Sequence, residues 1–462
     1  MKQIILLLIF ISSITSTFAQ QPKFDIKFSE PLAVFVFVQQ LSPGYPGNSF
    51  KSAFTGSAYD REKYKNLITR LDNLTLSYAY EFPSFPTGSK MPGLTDRLLK
   101  KNLIDCNSLE DFKLRSLGLI PNADLIELTS ILDAFTPVYN ELIYNPNREK
   151  FERQLGSLST YFVSKNVSDY FHAAVLFYNS AWDNSIPFEI ALYPLPDPKG
   201  FTAEAFINNA VSAIPTNEDN YDGLLSVMMH EIFHMIYNEE SLKVKQDMKR
   251  WFDANPSKCS TYAFWLMNEA FATVMGNGYV YEKLHGTIDT ADWYNQKYIN
   301  AMAKKLFPLV TEYIAKRKPI DQDFINSYIK IYQDNFSGWI NELNNLLTYR
   351  YVITDNGKDF DTIGYNYPYT SYSDLEDHIS ESDIKKMTGT PVTKLIIISR
   401  ERRAKLDMVK NSFTELKNWQ YHMDKEFTYH TFLKDRTQLI IINRFKTPII
   451  ALLNKTFKKG AW

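Results

Sequence analysis

Apolar and polar positions along this chain alternate between strand-like and helical spacing. The first clear signal is the apolar run Ala33-Val-Phe-Val-Phe-Val38, in an N-terminal stretch (20–57) that reads as strand-rich. The run fits either a buried strand or the start of a helix, and Pro43, Gly44, Pro46 and Gly47 mark a turn after it. From Arg61 to about Ser164 the pattern is mostly helical between punctuating prolines. Ser185 to Pro194 predicts a strand, and Ala205 to Ile214 a second short strand or hairpin. A helix follows over Tyr221–Tyr237, free of proline and with an apolar stripe from Leu224 to Ile236. Asn220 or Asp222 can cap it. The chain stays helical past Thr261–Val274 to about Tyr349, with breaks at Pro319 and near Gly338. Thr354–Ser373, rich in Tyr, Gly, Asn and Asp, reads as a linker or long loop. Beyond it, Lys394–Ser399 and Gln438–Asn443 predict Ile-rich strands, with helices at Leu406–Trp419 and Pro448–Phe457.

These elements predict an α+β chain, mostly helical, with a small antiparallel or mixed sheet and a small C-terminal α/β region. The expected divisions are a leader over 1–19 and a main region over 20–350. The main region has a sheet-and-helix part (20–215) and a helical part (216–350). A linker or long loop over 351–375 and a basic α/β region over 376–462 complete the chain.

Composition changes this picture in few places. An apolar fraction of 45% with 15% aromatics supports sizeable cores, and a net charge of −1 implies no polyanionic partner. No phosphate-cradling glycine loop or nucleic-acid module occurs. Lys385–Trp462 nevertheless holds 17 Lys and Arg against 6 Asp and Glu, a basic face for solvent or for an acidic envelope surface. Cys106 and Cys259 are too far apart for a disulfide framework or a metal cluster, and either pairing or separate buried thiols fits. Lys2, the apolar Ile4–Ile11 and Thr17-Phe18-Ala19 before Gln20 predict a cleavable secretory signal, hence a secreted or periplasmic protein. No later stretch is apolar enough to span a bilayer: Leu439–Leu453 is interrupted by Asn443, Arg444 and Lys446.

The chemistry lies in His230-Glu231-Ile232-Phe233-His234. Histidines four apart on a helix share one face, about one turn from each other. Both imidazoles can then reach one tetrahedral Zn²⁺ at roughly 2.0–2.1 Å. Glu231 lies where a carboxylate can deprotonate a zinc-bound water. The plainer alternative is a buried amphipathic helix whose histidines are satisfied within the core. A third ligand separates the two. Tyr237 and Glu240 stand where the metzincin pattern needs Gly and His, which excludes that class. Glu269, among Trp265, Leu266, Phe271 and Ala272 on a second helical stretch, would complete a His₂Glu site with one position open.

The pair HEIFH and Leu266-Met-Asn-Glu-Ala-Phe-Ala272 resembles the gluzincin division of the HExxH metallopeptidases, over about 55 residues from Tyr221 to near Val274. The resemblance implies zinc held by His230, His234 and Glu269, with Glu231 as general base and then acid, and a peptide or protein substrate. It also implies an edge strand just before the active-site helix that pairs with an extended substrate. Tyr262, Tyr279, Tyr281 and His285 are the candidates for an oxyanion donor. Three departures stand out. The gap from His234 to Glu269 is long, and its charged insertion Glu240–Ser260 predicts a surface loop or short extra helix. No Gly-x-Met-Glu-Asn segment occurs upstream, which argues against an aminopeptidase that reads a free amine that way. Thr273 replaces the acidic partner that thermolysin-like enzymes give a zinc histidine. Two rival readings keep the scaffold: a zinc amidase acting on cell-wall peptides, and a non-catalytic envelope binding protein.

Overall fold

The computed structural model describes residues 22–80, 84–85, 93–196 and 203–460. The secretory leader expected over 1–19 lies outside them. The fold is mixed α/β and 57% helical. Strand β1 (Phe24–Phe28) leads into helices α1 (Glu30–Leu41), α2 (Ser49–Phe54) and α3 (Glu62–Asp72). A short ribbon, β2 (Ala79–Tyr80) with β3 (Gly93–Leu94), precedes α4 (Thr95–Asp105), α5 (Leu109–Ser116), α6 (Asn122–Tyr139), α7 (Asn145–Ser164) and α8 (Val167–Phe177). Strands β4 (Phe188–Leu195), β5 (Ala203–Phe206) and β6 (Asn209–Pro215) follow. Then come α9 (Tyr221–Asn238), α10 (Leu242–Ala254), α11 (Ser260–Thr273), a π-helical segment Val274–Val280, α12 (Tyr281–His285), α13 (Lys297–Ala315), α14 (Gln322–Phe336) and α15 (Leu343–Leu346). The C-terminal part holds β7 (Tyr349–Thr354), α16 (Lys358–Asn366), β8 (Tyr372–Glu376), α17 (Glu381–Thr388), β9 (Thr393–Ile398), α18 (Arg402–Ser412), β10 (Phe427–Phe432), β11 (Gln438–Asn443) and α19 (Ile449–Thr456).

Two sheets carry the architecture. The first has the order β1-β4-β6-β5, with β5 alone antiparallel and on the edge. The second has the order β10-β11-β9-β7-β8, with only β10 antiparallel. Side-chain alternation explains why their strands read as unbroken apolar runs. In β4, Ile190 and Leu192 enter the core around α9 and α11, whereas Ala191 and Tyr193 enter a separate core against the N-terminal helices. In the second sheet, Leu395 and Ile397 face the α9–α11 core, and Ile396 and Ile398 face an outer core under α17 and α18. The central strands β4, β6, β7, β9 and β11 are buried on both faces, so no polar alternation is needed there.

The structure decides between open alternatives and overturns the linker expected over 351–375. The apolar run of residues 33–38 is helical: Ser29 Oγ caps α1 by accepting from Leu32 N at 3.4 Å, and Pro31 stands in its first turn. The run is buried all round. That removes the one-sided stripe by which a helix is read from sequence. Residues 351–375, expected as a linker, instead contain most of β7, all of α16 and most of β8. The polar residues that mimic loop composition are consumed locally. Asp359 accepts from Thr354 Oγ1 at 3.1 Å, and Arg350 donates to the Tyr367 carbonyl at 2.7 Å. The insertion Glu240–Ser260 forms the 13-residue helix α10. It seals Glu240 and Lys245 together in the interior, 2.9 Å apart. Both cysteines are unpaired. Among the described residues no helix is long and apolar enough to cross a membrane.

Candidate metal centre

Helix α9 starts where Asn220 Oδ1 accepts from Gly223 N at 3.1 Å. It runs between strand β5 on one side and α11 with the π-helical segment on the other. Its flanks are apolar and buried, including Met228, Met229, Ile232, Phe233, Met235 and Ile236. His230, Glu231 and His234 are the polar exceptions that the helix carries past the middle of its length.

Helix α11 crosses beside it and brings Glu269 to the imidazole pair. His230 Nε2 and His234 Nε2 are 3.1 Å apart. Glu269 Oε2 lies 3.7 Å from the first and 3.4 Å from the second. One ligand atom from each residue falls within 4.8 Å of the others. The other ring nitrogens are engaged: His230 Nδ1 is 3.0 Å from Asn277 Oδ1, and His234 Nδ1 is 2.9 Å from Asn268 Oδ1. An amide oxygen accepts, so each Nδ1 carries a proton, and each Nε2, once deprotonated, can offer its lone pair to a cation shared with Glu269. Glu269 Oε2 is itself buried with no hydrogen-bond partner. Convergence of two lone pairs and an orphaned carboxylate oxygen fits a divalent cation. His₂Glu is a donor set that suits zinc.

The proton inventory agrees with that fit. Burial raises the Glu269 carboxyl, but the His234 and His230 rings outweigh it and hold the group well below the usual carboxylate range. Burial lowers His234, yet the Glu269 charge prevails and lifts it to about 9. Without a cation, a proton on His234 compensates the carboxylate. Glu231 lies 3.9 Å from His230 Nε2 with its side chain 28% exposed. Burial pushes its carboxyl up, opposed by the two histidines. A carboxylate moved toward neutrality is a better proton acceptor near physiological pH.

Asn277 was not anticipated from sequence. It reaches His230 because the π-helical segment lies against α9 at Gly276, where a Cβ would come within 2.7 Å of His230 N, Cα and Cβ. Such single-turn π segments concentrate at functional sites. The Gly276-Asn277-Gly278 triplet was the available signal, since flanking glycines permit close backbone approach. Asn268, noted only as part of the motif, takes the other histidine. Together these amides stand where Thr273 offers no acid.

The site opens onto a cleft of about 360 Å³. Glu204, Ala205, Phe206 and Ile207 of β5 and its turn line one wall, and Tyr80, Gly93, Leu94 and Arg97 another. None of Tyr262, Tyr279, Tyr281 or His285 lines it. Tyr262 is buried against Trp265, two turns back along α11 from Glu269. Tyr279 packs on Tyr170. Tyr281 packs on His285, which pairs with Asp222 at 3.1 Å near the start of α9, two turns from His230. The phenol at the site is Tyr294, whose ring stacks on His230 with centroids 5.8 Å apart and lines the cleft. Burial and then the Glu269 charge raise it far above a free tyrosine. Tyr369, from the stretch expected as a linker, is raised to about 12 by burial and the same carboxylate. Neither falls in a motif; Tyr294 sits in the turn-rich segment between α12 and α13. Comparison with protein-family models, curated proteins and solved structures finds no match for this chain.

Proposed function

We propose that the protein is a zinc-dependent metallopeptidase of gluzincin type, acting on peptide or protein substrates outside the cytoplasm. The observation that carries this reading is the meeting of His230, His234 and Glu269 with Glu231 beside them, on the floor of a cleft walled by an edge strand. His230, His234 and Glu269 would hold the metal. With zinc bound, the site gains a Lewis acid that polarises a scissile carbonyl and acidifies water. Glu231 takes the proton of the attacking water and returns it to the leaving amine. Among the described residues, strand β5 pairs with β6 on one side only. Its free backbone edge can hold an extended peptide through main-chain hydrogen bonds, leaving side-chain preference to the opposite wall. Tyr294, which lines the cleft, supplies a hydroxyl donor for negative charge developing on the carbonyl oxygen.

Zinc content and peptide cleavage, measured together, test the reading. Glu231→Gln is expected to retain about one zinc per chain and lose hydrolysis. His230→Ala and Glu269→Ala lose both. Cleavage of a peptide library by purified Glu231→Gln would overturn the assigned role of that carboxylate.

A further inference from the structure

Among the described residues, Arg97 is a cleft-lining cation whose role the hydrolytic chemistry leaves unassigned. Arg97 lies in the first turn of α4 and lines the cleft. Four carboxylates share the cleft lining: Glu204, Glu231, Glu239 and Glu269. Glu204 is taken by Lys100, 2.6 Å away and one turn further along the same helix. Glu231 and Glu269 belong to the metal centre, and Glu239 has a contact of its own. Asp96, beside Arg97, accepts from Ser77 Oγ at 3.3 Å. Among the described residues no carboxylate lies within ion-pair distance of Arg97. Arg97 is half-buried as a residue, and the five donors of its guanidinium are shaped for a planar anion.

The end of the helix adds to this. The N-cap residue Leu94 also lines the cleft and provides no side-chain cap for α4. The positive end of the α4 dipole therefore opens toward the same wall as the guanidinium. Lys100 neutralises the acid on the edge strand, and Arg97 keeps its charge for an incoming group.

We infer that Arg97 is a specificity-determining residue that receives a substrate carboxylate. The cleft then prefers peptides bearing negative charge on the side of the scissile bond nearer α4. This inference rests on the peptidase reading of the same site. The shared chemistry is a carboxylate, supplied either by the free C-terminus of a short peptide or by an Asp or Glu side chain.

The test measures binding in zinc-loaded Glu231→Gln protein, where turnover does not intervene. Three sets of short peptides of matched length are titrated calorimetrically: free C-terminus, C-terminal amide, and C-terminal amide with one internal Glu. Binding tighter for one charged set than for the amides identifies the source of the carboxylate. Adding Arg97→Gln should shrink that preference roughly 10- to 100-fold, the worth of a charge-assisted hydrogen bond. Arg97→Lys should retain part of it, because the charge remains while the fork is lost. Equal affinities for charged and amidated peptides would overturn the inference, as would a preference that survives Arg97→Gln. Absence of any peptide binding would overturn it too. The peptidase reading fails separately, when wild-type protein binds these peptides but cleaves none of them.

Discussion

Gly276→Ala tests whether the seating of the π-helical segment sets the metal site. A Cβ at this position would lie 2.7 Å from His230 N, Cα and Cβ, where ordinary contact begins near 3.4 Å. The obstructing atoms are backbone and its first carbon, so no side chain can swing aside. The segment must withdraw from α9 by about 0.7 Å, because a close-packed interior has no slack to absorb the methyl. Asn277 moves with its neighbour. Its 3.0 Å separation from His230 Nδ1 stretches to about 3.7 Å, beyond hydrogen-bonding range. Two losses follow. Overpacking costs about 1–3 kcal/mol of stability in metal-free protein. Release of the imidazole lowers zinc affinity about 10- to 100-fold. Competition with a chromophoric chelator reads the affinity, and urea unfolding in excess chelator reads the stability. Asn277→Ala serves as the comparator, expected to reproduce the affinity loss with little of the packing cost. A zinc affinity within twofold of wild type in both variants would refute the claim that Asn277 orients His230.

Three further outcomes are expected. Tyr294→Phe should keep zinc and lower kcat by about 10- to 1000-fold; an unchanged kcat in a steady-state peptide assay would remove the phenol from the chemistry. Zinc uptake near pH 7.5 should release about one proton, because His234 titrates at about 9 without metal and must lose its proton to bind. Calorimetry in buffers of differing ionisation enthalpy counts that proton. The third concerns the buried acid just before α10: burial, opposed by Lys245, pushes Glu240 up to about 7. A raised acid contributes no penalty below its unfolded value near 4.5, and a penalty that grows until pH passes 7. Glu240→Gln should therefore lose less stability than wild type between pH 5 and pH 8, by on the order of 2 kcal/mol. Parallel pH dependence of the two urea midpoints would contradict that assignment.

How much of this was legible in the sequence depended on whether each signal was local. The placement of His230, Glu231 and His234 on one helix follows from helical spacing alone. Glu269 was found because apolar flanks on a second helix make a lone carboxylate conspicuous. Residues that support the site from a distance left weaker traces. Asn277 was hidden inside a glycine triplet, and Tyr294 in a loop whose anchoring needs Trp293 N bonded to Asn300 at 2.9 Å. The four aromatic and histidine candidates near the motif were proximal in sequence only. Tyr281 and His285 are carried around to the start of α9, while Tyr262 lies two turns back along α11, packed on Trp265. Misreadings elsewhere share one cause, burial on both faces. Helix α1 loses its stripe that way, and β7 reads as loop because its own Arg350 and Thr354, with Asp359 just beyond it, spend their polarity inside the fold.

The second sheet gives one side of itself to the same interior that packs α9 and α11: Val352, Leu395, Ile397, Ile440 and Ile442 all enter it. Tyr369 travels with that sheet to the neighbourhood of Glu269. The His230, His234 and Glu269 cluster therefore has no severable minimal scaffold. Trimming it before Tyr349 would strip a wall from the hydrophobic interior that fixes the crossing of the two ligand-bearing helices. Chemistry seated in one third of the polypeptide is thus hostage to the folding of its last hundred residues.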